Sequence, residues 1–68
     1  MKIFVVSFID FFDYAMDIQK IKAPTAADAL CGYLVAHRGA NINEIPEEVE
    51  DIRRYVADND AAIAYMEV

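Results

Sequence analysis

A single cysteine, Cys31, is present in 68 residues, so no disulfide can form within the chain. A lone thiol suits a reducing, cytoplasmic setting better than a secreted one. His37 is the one histidine. Together with Cys31 it falls short of the four ligands a structural zinc takes, and no metal or other cofactor is expected. Basic side chains are also scarce, six Lys and Arg against twelve Asp and Glu, for a formal net charge of −6. Phosphate contact needs clustered Lys and Arg, so direct nucleic-acid binding is not expected. An acidic chain is instead drawn to basic protein surfaces. No window approaches the ~20 apolar residues of a membrane helix. Met1, Lys2 and the run Ile3 to Ile9 faintly resemble a signal peptide, but Asp10 and Asp13 interrupt the run and no small-residue cleavage site follows cleanly.

Catalytic signatures are missing as well. There is no Gly-rich phosphate loop, no Ser-His-Asp set and no paired-cysteine motif. Cys31 and His37 fall on different faces of one expected helix, which is poor geometry for a nucleophile and its base. Asp10, Asp13 and Asp17 are oxygen ligands of the type Mg²⁺ or Ca²⁺ takes, but their spacing is not that of an EF-hand loop and reads as a solvated turn. The chain does not read as an enzyme.

What is present is apolar. Hydrophobic residues make up 57% and aromatics 12%, too much for a disordered chain. The length bounds one domain over residues 1–68. A chain this small buries a low fraction of its surface and gains stability from a disulfide, a metal or a partner. With the first two disfavoured, association with another chain gains weight.

Lys2-Ile3-Phe4-Val5-Val6-Ser7-Phe8-Ile9 is rich in β-favouring residues. Ile3, Val5, Ser7 and Ile9 share one face and Phe4, Val6 and Phe8 the other. Two apolar faces predict a central strand covered on both sides. Asp10-Phe11-Phe12-Asp13 reads as a turn. Residues 14–23 read as a second, antiparallel strand. Tyr14, Met16 and Ile18 alternate on one face, Ile21 and Ala23 take the opposite parity, and a bulge near Gln19-Lys20 would reunite them. Lys20 and Lys22 suit an edge strand.

Pro24-Thr25-Ala26-Ala27-Asp28 predicts a capped helix over 26–38, with Thr25 as N-cap and Gly39 at the left-handed C-terminal position. Its stripe is Ala27, Leu30, Leu34 and either Cys31 or Val35. Gly32 would let this helix approach the sheet closely. A loop over 40–44 leads to a second helix over 45–58, with Pro46 in its first turn and Ile45, Val49, Ile52 and Val56 as its seam. In residues 61–68, the alternation of Ile63 and Tyr65 with Ala62, Ala64 and Met66 favours a third strand. The alanines and the preceding Asp58-Asn59-Asp60 keep a short helix as the alternative. The expected fold is α+β, ββααβ, with a three-stranded sheet in order 2-1-3 and two helices on one face. The last strand is expected to run parallel to the first, and the other sheet face to be left open and apolar.

The candidate contact residues form two groups. Glu44, Glu47, Glu48, Glu50 and Asp51, extended by Asp58, are the densest acidic run. Acids favour a helix N-terminus and Glu50 and Arg54 are spaced as an i,i+4 pair, which explains part of it. The rest can imitate a phosphate array. Phe11, Phe12 and Tyr14 exceed what so small a core needs, and aromatics are typical interface anchors.

Lys2-Ile3-Phe4-Val5-Val6 followed by Ile21 to Leu30, about half of the chain, resembles small bacteriophage and mobile-element proteins of ββα type. Size and acidity resemble anti-CRISPR inhibitors, a class without a common fold. The resemblance implies a non-enzymatic inhibitor in the host cytoplasm that blocks the nucleic-acid-binding surface of a host defence protein. It transfers no functional residue. The alternative is a structural or assembly module that forms a homodimer through the open sheet face.

Overall fold

A computed structural model describes residues 1–68. The elements are β1 (Lys2–Asp10), β2 (Ala15–Ala23), α1 (Ala26–Arg38), a 3₁₀ turn over Ile42–Glu44, α2 (Val49–Asp58) and β3 (Ala61–Glu67). The sheet order is β2-β1-β3. This is the expected ββααβ architecture of the α+β class, with residues 61–67 resolved as a strand. No helix is long and apolar enough to cross a membrane.

β1 is central because its pattern allows two covered edges and one fully buried face. Phe4, Val6 and Phe8 are buried against the helices. They meet Leu30, Tyr33 and Leu34 of α1, Ile52 and Val56 of α2, and Ala61 and Ile63 of β3 in one continuous core. Full burial of each such side chain contributes about 1.5–3 kcal/mol relative to exposure. Of the two alternatives for the α1 stripe, Cys31 packs against the core and Val35 is exposed, and Ala29 and Tyr33 join the stripe as buried residues.

The ends of α1 follow local chemistry. The Thr25 Oγ1 accepts from the Asp28 N–H at 3.2 Å. Gly39 lies at φ 68, where it donates its N–H to the Leu34 carbonyl. Gly32, however, faces solvent, and a Cβ there would meet nothing within 4 Å. It does not mediate a close helix–sheet contact.

Several expectations are corrected. β3 runs antiparallel to β1, with Phe4 opposite Glu67 and Asp10 opposite Ala61. The expectation of a parallel strand assumed that the second helix brings the chain back along the first. Instead the segment after Gly39 makes that return. Ile42, Ile45 and Pro46 line a cleft with Ala27 and Cys31 of the first half of α1, and Ile45 is buried there. α1 and α2 therefore climb in the same direction. α2 ends beside the β1–β2 turn, where the Phe11 N–H donates to the Asp60 carbonyl at 3.0 Å. From there β3 can only descend.

α2 begins at Val49, not at 45, so Pro46 precedes the helix and Ile45 packs from the connecting segment. Tyr14 belongs to the turn and not to β2. No bulge interrupts β2, whose register runs unbroken from Lys2 opposite Ala23 to Asp10 opposite Ala15.

Candidate functional site

The unbroken β2 register decides which residues the sheet leaves uncovered. Ile21 and Ala23 share the helix side with Phe4 and Lys2, their opposites. Met16 and Ile18 stand opposite Ile9 and Ser7 and fall on the other side. The apolar residues of β2 are thus divided between the two faces and not gathered on one. From β3, Ala64 and Met66 join Ser7 and Val5 on the open side. Met16 is 73% exposed, Ile18 62% and Met66 63%. Together they make an apolar sheet face that nothing in the chain covers.

The charge on this face is one-signed. Of the acids in strands, Asp10, Asp17 and Glu67 all share the helix-side parity, and the remaining acids lie outside the strands. None of the twelve acids of the chain stands on the open face. Its only charges are Lys20 and Lys22, opposite Val5 and Ile3.

At one end of the sheet, the β1–β2 turn carries Phe11, Phe12 and Tyr14, all exposed. The Asp10 carboxylate organises the turn by accepting from the N–H of Phe12 at 2.9 Å and of Asp13 at 3.3 Å. Tyr14 sits at φ 55, a left-handed conformation that costs an L-residue about 1–2 kcal/mol. It is 94% exposed, so its ring returns nothing to the core. Strain at a side chain with no packing role is the kind of local cost found at functional positions.

The acidic candidates separate from the aromatic ones. Glu44 lies in the 3₁₀ turn, Glu47 and Glu48 precede α2, and Glu50 and Asp51 form its first turn. Phe11, Phe12 and Tyr14 lie at its far end, beside Asp60 and near Asp58. α2 spans ~15 Å at the usual rise per residue, so the two groups do not make one patch. Within the acidic group the pairing differs from expectation. Arg54 pairs with Asp51 at 3.3 Å, one residue closer than Glu50, and Arg53 takes Glu50 at 3.6 Å. Both are exposed i,i+3 pairs. Glu44, Glu47 and Glu48 remain exposed without an ion-pair partner.

On the helix side of β2 a polar cluster seals the core. The Tyr33 hydroxyl donates to the Asp17 carboxylate at 2.8 Å, and the Gln19 amide donates to the same group at 3.1 Å. The Tyr33 hydrogen bond is the main reason the Asp17 pKa lies below its usual value. Burial, aided by that bond, pushes Tyr33 up to about 12. The His37 ring stacks on Tyr33 at 5.1 Å between centroids, and the Arg38 guanidinium lies 5.0 Å from the centre of Phe8. Asp17 is thus engaged with Tyr33 and Gln19 while Asp10 holds the turn amides, and Asp10, Asp13 and Asp17 do not converge on a common point. Cys31 lines the cleft against the return segment, remote from His37.

Met16, Ile18 and Met66 are the surface residues that the sequence reading did not single out as contacts. The signal was there in the parity of Met16 and Ile18, but a bulge in β2 would have placed them in the core. No family model, curated protein or solved structure matches this chain.

Proposed function

We propose that this chain is a non-enzymatic protein-binding module that engages its partner through the open sheet face and the adjoining aromatic turn. The observation that carries this reading is the open face itself, apolar across all three strands and free of acid in a chain of net charge −6. The chemistry of the face specifies its partner: an apolar surface flanked by acidic groups that can meet Lys20 and Lys22. A second copy of the chain fits that description poorly, because its own open face offers no acid and would bring lysines into the contact. The two displaced pKa values, at Asp17 and Tyr33, move away from neutrality and belong to a structural hydrogen bond.

A second reading keeps the acidic surface as the working part. Glu44, Glu47 and Glu48, exposed and without ion-pair partners, would occupy the basic groove of a nucleic-acid-handling protein. This is the behaviour of a phage-type inhibitor in a host cytoplasm, in line with the anti-CRISPR-like size and charge. Arg53 and Arg54 interleave with Glu50 and Asp51 on α2, so the phosphate-like array is shorter than the acidic run suggests.

One comparison separates the readings. The wild type, an open-face variant (Met16→Lys with Ile18→Lys) and an acidic variant (Glu44→Lys, Glu47→Lys and Glu48→Lys) are each immobilised and used for capture from a host lysate across a salt gradient. The open-face reading expects the captured partner to be lost with the first variant, kept with the second and only weakly sensitive to salt. Loss with the acidic variant, retention with the open-face variant and steep salt dependence would overturn it in favour of groove blocking.

A further inference from the structure

The outer edge of β3 is a second, distinct feature. In β1–β3 the N–H of Phe11 bonds to Asp60 and the N–H of Val68 to Ile3, each pair directly opposite in register. The bonded pairs thus use the even-numbered positions of this strand. By the alternation of an antiparallel ladder, the N–H and C=O groups of Ala61, Ile63, Tyr65 and Glu67 point outward. β3 is an edge strand, so these groups have no strand to bond. Natural edges are guarded by lysine, proline or a bulge. The β2 edge follows that rule with Lys20 and Lys22. The β3 edge has no charge or proline between Ala61 and Met66.

Beside the first half of this edge lies a cleft of about 400 Å³ lined by Ala61, Ala62 and Ile63 of β3 and by Glu50, Arg53, Arg54 and Ala57 of α2, where the two arginines hold only exposed ion pairs, to Glu50 and Asp51, that an incoming acid can exchange. A strand added to β3 would place alternate side chains into it. We propose that the β3 edge is a strand-addition site for an extended segment of a partner protein, with an acidic side chain of that segment directed to Arg53 and Arg54. Backbone pairing supplies the docking, and the two guanidinium groups set the preference among sequences. The occupant is a bare extended segment and not a second copy of the chain. α2 packs on β3, and paired strands are only about 4.8 Å apart while packed helices need about 8–10 Å. Two copies joined at this edge would bring their α2 helices into collision. The inference concerns the edge of the sheet and not its face, so it holds or fails independently of the open-face reading.

The test uses the ¹⁵N-labelled full chain and two short capped peptides, Thr-Val-Thr-Val-Glu-Val-Thr and its twin with Lys in place of Glu. The Glu peptide is expected to shift the amide resonances of Ala61, Ile63, Tyr65 and Glu67 and to slow their hydrogen exchange. The amides of Met16, Ile18, Lys20 and Lys22 on the opposite edge should not respond. The Lys peptide should bind about tenfold more weakly. In the double variant Arg53→Glu with Arg54→Glu, whose side chains are exposed, the preference should reverse. Absence of β3 shifts at millimolar peptide, shifts confined to β2, or a peptide preference unmoved by the double variant would each overturn the proposal. So would a concentration-dependent dimer in which the β3 amides alone become protected, which would give the edge to a second copy.

Discussion

Two tyrosines show how differently one residue type is used. Tyr14 is strained and exposed, whereas Tyr33 is wholly buried and hydrogen-bonded. Glycine takes φ 55 without the Cβ penalty, so Tyr14→Gly should stabilise the chain by about 1 kcal/mol. The same change should weaken partner capture. Thermal melts and the capture assay, run side by side, test both halves; a lower melting temperature would show that the ring has a packing role. Tyr33→Phe should cost about 1 kcal/mol through the lost hydrogen bond, and it should change the pH profile at both ends. The depressed pKa of Asp17 contributes stability that is present above the ordinary carboxylate range and lost as pH falls through the folded value. The raised pKa of Tyr33 contributes stability that is complete below about 10 and lost as pH rises towards about 12. In the phenylalanine variant the alkaline loss should disappear and the acidic one should shrink. Melting temperature measured across pH decides this, and an unchanged profile would remove the Asp17–Tyr33 bond from the account.

Among the elements, α1 was almost wholly legible. Thr25, Asp28 and Gly39 mark its ends by local hydrogen bonding and backbone freedom, and the structure places it over the expected 26–38. The role of Gly32 was not legible, because a glycine inside a helix looks the same whether it faces the sheet or water. It faces water with open space around it, so Gly32→Ala should stabilise by roughly 1 kcal/mol through helix propensity. Denaturant titration would detect that gain, and a loss would place an unseen neighbour at the site. α2 was less legible at its start. Ile45 and Val49 continue its apolar spacing, but Pro46 and the buried return segment keep Ile45 outside the helix. β2 was misread for a related reason. Its Met16, Ile18, Ile21 and Ala23 are compatible with one bulged face or two plain ones, and only the register with β1 chooses between them.

The molecule as a whole has two layers, one sheet and one pair of helices, with no third layer on the other side of the sheet. The helices cover Phe4, Val6 and Phe8, and nothing covers the opposite side of the sheet. Separation of charge accompanies this, with acids on the helix side and around the loops and lysines alone on the open face. The open-face variant proposed above therefore carries a stability expectation. Met16 and Ile18 are exposed in the isolated chain, so replacing them with lysine should leave stability within about 0.5 kcal/mol per site. Partner capture should nevertheless be lost. A large destabilisation would mean that the face is already covered in solution, as it would be in a face-to-face dimer.

The sequence by itself determined the first two strands, the bounds of α1, the central place of β1 and the existence of an uncovered apolar face. Each of these depends on residue type and spacing within a short stretch. Cap chemistry sets helix ends, alternation sets strands, and two helices cannot cover both sides of a sheet. Tertiary structure alone decided the direction of β3, the face on which Met16 and Ile18 stand, and the distance between the acidic run and the aromatic turn. These depend on where the Gly39–Glu48 segment travels and on which residues β2 meets across the ladder. Burial of Ile45 against α1 settles the first, and an unbroken register with β1 settles the second.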